Sequence, residues 1–317
     1  INLLWKRLDN KTIEGIWTIS STNQRFKNPE TNEAILERHL SSGFNQDHAS
    51  HKAWWGNFWS KSAIQIPDEL IEKQWYLEQY KFGSTSRKGA PPISLQAIWT
   101  ADNGRIPPWK GDYHHDLNTE LSYWPAYSAN HLEEGMAYLD HLDQNKENYK
   151  RYTKLYFGID GLNAPGVTTL EGTEMGGWIQ YALSPTVSSW LSHHYYLQWR
   201  YSMDKSFLKE RAYPWIEAAA NYLEKLTAVD KNGLRKLPIS SSPEINGNNL
   251  SAWFPQNTNY DLSLMVFNFK AAKELALELG LKNKAAHWDS VLQQFPALSL
   301  SGTNALNIAP GFPYAES

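Results

Sequence analysis

The sequence predicts an all-α chain whose helices close into a ring of hairpins. Three observations carry this. Apolar patterns of helical period, each ~15–20 residues long, recur along most of the chain, and about nine or ten helices are legible. Strand-like alternation is weak and short. No fixed-period repeat is visible, which disfavours a solenoid. In such a ring the loops at one end converge on a shared cleft, so the loops at 100–118, 158–178 and 237–255 are expected to meet.

Taken in order, residues 12–22 (TIEGIWTISST) read as a strand that closes an upstream domain, and residues 1–45 as a linker or the end of that domain. The main domain then runs over 46–317. PETNEAILERHL, from Pro29, reads as a helix with Pro and Glu in its first turn. In HASHKAWWGNFWS, Trp54, Trp55, Phe58 and Trp59 fall three and four apart and give one apolar helical face. KSAIQIP alternates and reads as a short strand, and Pro67 to Phe82 reads as a helix with Asp68 and Glu69 at its start.

The interval 117–142 reads as a helix that Pro125 kinks or interrupts. Helices follow over 145–157, 185–201, 206–226 with a break at Pro214, 259–279 and 283–292, the last two separated by Gly280. Between them lie a Gly-rich loop (GIDGLNAPGVTTLEGTEMGG) and a polar loop (LPISSSPEINGNNLSAWF). The Gly-rich loop lacks the GxxxxGK[ST] order that cradles phosphate, so nucleotide binding is rejected.

Composition removes several classes of function. Across 317 residues, 41% hydrophobic and 20% charged residues describe a globular chain with a sizeable core. A net charge of −3 and a pI near 6.4 leave no basic footprint for nucleic acid. No apolar run approaches the ~20 residues of a membrane span. The absence of cysteine excludes disulfides, thiolate catalysis and Cys-ligated metal. No signal peptide is visible, and the first residue is Ile1, which reads as a processed or fragmentary chain. The 15 Trp and 17 Tyr suit a carbohydrate, because flat rings stack on sugar C–H faces while their N–H and O–H groups reach hydroxyls; the plainer reading is core burial.

The densest chemistry lies in ISLQAIWTADNGRIPPWKGDYHHDLNTELSYWPAY, Ile93 to Tyr127. Gly104, Pro107, Pro108 and Gly111 break it into loop, where sites commonly sit. Asp112, His114, His115, Asp116 and Asn118 follow in one run. Asp116 or Asn118 as a helix N-cap is the plainer reading. In an extended segment, residues two apart point the same way, so Asp116 and Asn118 can grip one water, with His114 on the same side for a sugar hydroxyl. A metal site is the competing reading of His114, His115 and Asp116, but adjacent His side chains diverge and make poor paired ligands. His193 and His194 sit in an aromatic helix and read as packed.

Glycosidic cleavage commonly needs one carboxylic acid to protonate the leaving oxygen and a second group to handle water or attack the sugar. Glu244 is the only carboxylate in SSSPEINGNN, and no Lys or Arg falls between Leu237 and Gln256. An acid poised near working pH needs partial burial and no close cation. A surface turn glutamate is the plainer reading. A Ser–His–Asp triad stays open, although no GxSxG elbow is present.

These stretches resemble the glycoside hydrolase family 95 catalytic domain. SLQAIWTADNGRIPPWKGDYHHDLNTELSYWPA resembles its segment with an LQGIW-like start, a PPW step and a [HT]-x-N-x-N-x-[QE]-[ML]-x-YWP core. HKAWWGNFWSKSAIQIP, YSMDKSFLKERAYPWIEAAANYLEKL and SSSPEINGN resemble its W-x-x-F-W-x-x-S element, its helix after the Y-x-x-[TG]-D turn and its TSPEN loop, in family order. The resemblance implies an (α/α)6 barrel that removes α-L-fucosyl or α-L-galactosyl residues with inversion. It implies that Glu244 is the general acid, that Asn118 is the second water-positioning asparagine, and that His114 is the His of the motif.

Asp116 stands where the family has its first asparagine. It then serves as base directly, or marks a different sugar. The family continues into an HRH-x-SHL segment, and its usual flanking β-domains are not in this chain, so the barrel is expected to be incomplete. Glu316 lies near where that segment would begin.

The expected function is therefore exo-acting removal of a terminal α-L-sugar from glycan or polysaccharide, with no cofactor and no metal. Trp99, Trp109, Tyr113, Trp124 and Trp178 are the candidate sugar-contacting rings, with Trp124 equally readable as core. The alternatives are a catalytically idle glycan-binding homologue and a lyase, for which the site loops are poor in Lys and Arg. Polysaccharide-degrading relatives suggest a periplasmic or secreted protein.

Overall fold

The structure, a computed structural model, describes residues 1–20, 30–97, 105, 109 and 111–313. It opens with an antiparallel hairpin, β1 (Asn2–Arg7) and β2 (Ile13–Thr18). Helices α1 (Asn32–Ser42), α2 (Phe44–Ser60) and α3 (Glu69–Thr85) come next. The hairpin is tied to the first two of these helices: Asn2 donates to Glu33, Lys6 to the Leu40 carbonyl, and the Phe44 amide to Glu14 at 2.7 Å. Asp68 caps α3 by accepting from the Leu70 and Ile71 amides. The interval 61–67, expected as a strand, is irregular; the Tyr76 hydroxyl takes the hydrogen bonds of Ile64 that a neighbouring strand would have supplied.

The central segment forms the two-residue strand β3 (Tyr113–His114), then α4 (Asn118–Ser128) and α5 (Leu132–Phe157). Pro125 does not end α4: the helix runs three residues past it, and the Ala129 amide bonds the Pro125 carbonyl at 3.0 Å. The break comes at residues 129–131, where Asn130 is left-handed and the His131 amide reaches back to the Ala126 carbonyl. Strand β4 (Val167–Thr168), the short α6 (Ile179–Ala182) and α7 (Val187–Ser202) follow.

Next, α8 (Lys205–Phe207) leads through a π-helical turn, Leu208–Ala212, into α9 (Tyr213–Leu226), with Pro214 in its first turn, where a missing N–H costs little. The short pair β5 (Ala228–Val229) with β6 (Arg235–Lys236) precedes the polar loop, and β7 (Ser240–Ser241) pairs with β8 (Trp253–Phe254) within it. The described helices end with α10 (Asn259–Glu278) and α11 (Lys282–Leu292), separated at left-handed Gly280.

The helices pack around one core. Trp199 and Tyr195 of α7, Tyr138 and Leu142 of α5, Trp215 of α9 and Phe269 of α10 are fully buried within it. Tyr195 stacks on Trp215 at 4.6 Å between centroids and Tyr123 on Tyr138 at 4.8 Å. Much of the aromatic content therefore serves the core, as the plainer reading had it. This is the all-α barrel class expected from the sequence, and its connecting loops carry the polar residues.

Candidate active site

A cavity of about 640 Å³ opens between the central segment, the Gly-rich loop and the polar loop. Asp112, His114, Asp116, Asn118, Trp178 and Glu244 line it, with Trp109 at its edge. Three stretches distant in sequence thus meet, as the ring of loops required.

The central segment is fixed by pairing. Tyr113 opposes Thr168 and His114 opposes Val167, and the His115 amide donates to the Gly166 carbonyl at 2.7 Å. Alternation then sorts the side chains: Tyr113 and His115 turn into the core, whereas Asp112, His114 and Asp116 turn to the cavity. His115 is wholly buried, hydrogen-bonded to the Tyr138 hydroxyl at 2.8 Å and to Thr168 Oγ1 at 3.1 Å. Among the described residues no three His, Asp or Glu side chains converge as metal ligands do.

Neither Asp116 nor Asn118 is spent as a cap. Leu117 holds the N-cap position of α4 and makes no side-chain cap bond. Asp116 is mostly buried, and its Oδ1 has no hydrogen-bond partner. Burial raises its carboxyl above the ordinary value; the His114 charge opposes this, and the charges of Glu244 and Asp112 add to it. His114 lies between two carboxylates, with Nε2 3.1 Å from Asp112 Oδ1 and Nδ1 3.9 Å from Asp116 Oδ1.

Behind them Glu120 is fully buried, with no well-formed hydrogen bond to either carboxyl oxygen. Burial first, and then the charge of Asp116, pushes it well above the usual range.

Glu244 arrives on a turn after β7. Its backbone is left-handed at φ +59°, as are those of Asn246 and Gly247. For a residue with a Cβ this conformation costs about 1–2 kcal/mol, and such strain gathers at functional sites. The turn is held from the Gly-rich side: the Ile179 amide donates to Asn248 Oδ1 at 2.9 Å, and Gln180 to the Gly247 carbonyl at 3.0 Å. Tyr181 lies against Glu244; its hydroxyl is raised by burial and then by the Glu244 charge. The backbone around Tyr181 packs so closely on Gly166 that a Cβ there would lie 2.3 Å from the Tyr181 carbonyl oxygen. Glu244 is exposed, so the partial burial expected for the acid is not supplied by the residues around it here; its left-handed turn stands proud of the core.

Two proposed ring contacts are corrected. Tyr113 is 5% exposed, and its hydroxyl donates to the Pro92 carbonyl at 3.1 Å, because alternation along β3 points it inward. Trp124 lies about two-thirds of a turn round α4 from Asn118, so it faces a different, apolar cavity with Trp190, His193 and Phe267. Trp99 and Glu316 lie outside the described residues. Sequence reasoning left Asp112 without a role, although it shares the side of His114 and Asp116 at the same two-residue spacing. Tyr181 gave no signal at all, since its partner is far along the chain.

The model of the glycosyl hydrolase family 95 catalytic domain matches residues 39–307. The chain belongs to this family. The family 95 domain is 29% identical over 177 residues to alpha-L-fucosidase 2 of Arabidopsis thaliana, covering 55% of the chain and 21% of that relative. It is 29% identical over 180 residues to "Probable alpha-fucosidase A" of Aspergillus niger, covering 52% and 21%. The chain thus spans about a fifth of the length of these curated relatives. Among solved structures, "Putative kojibiose phosphorylase from human microbiome" superposes with a TM-score of 0.69 at 13% identity, covering 88% of the chain and 38% of that protein, a likeness of fold.

Proposed function

We propose that this family 95 domain carries the active site of an inverting, exo-acting glycoside hydrolase that removes a terminal α-L-fucosyl residue, or a related sugar such as α-L-galactosyl, from a glycan. The observation that carries this reading is the single cavity shared by Asp116, Asn118, His114 and Glu244. Glu244 protonates the glycosidic oxygen as the bond breaks. Asp116 takes a proton from the water that attacks the anomeric carbon from the opposite face, and the Asn118 amide holds that water. Room for water between the acid and base, ~6.5–9.5 Å in inverting enzymes, is what makes the displacement a single step. His114 binds a sugar hydroxyl, and Trp178 and Trp109, both partly exposed at the cavity, offer ring faces to the sugar. The names of the Arabidopsis and Aspergillus relatives support a fucoside substrate, and the periplasm or cell exterior is the location proposed with it.

A second reading rests on Asp116, which stands where the family motif has asparagine. A full charge beside the water permits direct base catalysis, and it also changes what the sugar hydroxyls meet, so α-L-galactoside is the alternative substrate. The test is Glu244→Gln assayed on aryl and natural α-L-fucosides and α-L-galactosides. Turnover of natural glycosides is expected to fall ~10²–10⁴-fold, the usual worth of a general acid, with sugar binding retained. Full turnover in that variant would overturn the assignment.

A further inference from the structure

Helix α10 begins beside the strand that leads to Glu244, and its first turn carries an acid that takes no part in the chemistry of Asp116 and Glu244. Asp261 is wholly buried. Its Oδ2 accepts from Ser240 Oγ at 2.6 Å and from the Ser241 amide at 3.0 Å, and its Oδ1 accepts from Thr186 Oγ1 at 2.6 Å. Thr258, the N-cap of α10, closes the same knot: its hydroxyl donates to the Ser241 carbonyl at 2.6 Å, and its amide donates to Ser240 Oγ at 3.0 Å. Both residues of β7 are thereby clamped to the starts of α7 and α10. The turn bearing Glu244 follows at once.

We propose that Asp261 is a positioning residue for the general acid: it fixes β7, and so sets where the exposed, left-handed Glu244 delivers its proton. The inference rests on the reading of Glu244 as that acid. The physical case is a division of labour. Glu244 stands on a strained, exposed turn; beyond its neighbour Tyr181, its aim depends on the anchored residues before it and on the Asn248 and Gly247 bonds after it. A buried carboxylate that accepts three hydrogen bonds, two of them at 2.6 Å, is a firm anchor for β7. Burial pushes its carboxyl up to about 6, while the donors from Ser240, Thr186 and Ser241 hold it down. A buried acid held against that penalty is costly as plain structure, and as an anchor beside the reacting acid it has a use.

The test separates aim from architecture through the leaving group. The full-length protein and its Asp261→Asn and Ser240→Ala variants are assayed on methyl α-L-fucoside, whose leaving alkoxide needs a proton, and on 2,4-dinitrophenyl α-L-fucoside, whose leaving phenolate does not. Misplacing a catalytic group by an ångström costs up to ~100-fold, so Asp261→Asn is expected to lose ~10–100-fold in kcat on the methyl glycoside with KM nearly unchanged, and little on the dinitrophenyl glycoside. Ser240→Ala, which removes one of the three donors to Asp261 and keeps the carboxylate, should show the same selectivity to a smaller degree. Equal losses on both substrates, or no loss on the methyl glycoside, would overturn the proposal. Failure of the underlying reading shows separately, as a Glu244→Ala enzyme that still turns over the methyl glycoside.

Discussion

Asp116 and Glu244 line one cavity, where burial first, and in smaller part the charge of Glu244, raises the carboxyl of Asp116. Two carboxyl groups facing one cavity are suited to the opposite roles of acid and base in one displacement.

The acidic limb of the pH profile should report Asp116. A base works only when ionised, so kcat/KM rises as pH climbs through its pKa. Burial raises that value and the His114 charge lowers it. His114→Ala removes the lowering influence, so the acidic limb should move to higher pH. A pH titration of kcat/KM in the two proteins checks this, and a limb that stays in place or moves to lower pH contradicts it.

Trp178 tests the sugar platform. Its ring is 43% exposed and lies nearly parallel to Tyr181, 6.1 Å away. Loss of one stacking face is worth about 1 kcal/mol, so Trp178→Ala should raise KM roughly 5–10-fold with kcat nearly kept, the mark of binding shared by ground and transition states. A collapse of kcat at unchanged KM would place the ring elsewhere in the mechanism.

The left-handed turn predicts a trade of stability against function. At φ +59°, Glu244→Gly relieves the Cβ conflict, whereas Glu244→Ala keeps it. The glycine variant should unfold about 1 kcal/mol harder than the alanine variant in denaturant titrations, with both inactive on natural glycosides. A less stable glycine variant would mean that the turn stores no strain.

The sequence revealed this site unevenly, for physical reasons. Asp116, Asn118 and His114 were legible because a two-residue period in a loop sorts sides without help from distant contacts. The same period should have excluded Tyr113, whose side it assigns to the core. Trp124 was misplaced because its motif neighbours are continuous in sequence, while the helix turns it away from them. The break after Ser128 followed from a left-handed Asn130, and Pro125 sits inside α4. Tyr181 and Asp261 gave no signal, since their partners at Glu244 and at Ser240 and Ser241 come to them only through the fold. Glu244 was found as a lone carboxylate in a polar loop and by resemblance; its exposure and its backbone strain belong to tertiary structure.

The most direct test of opposed acid and base is the configuration of the first sugar released. Proton NMR of an aryl α-L-fucoside during the first minutes of hydrolysis should show the β-anomer of L-fucose ahead of mutarotation. First appearance of the α-anomer would mean a covalent, retaining route and would contradict the roles assigned to Asp116 and Glu244.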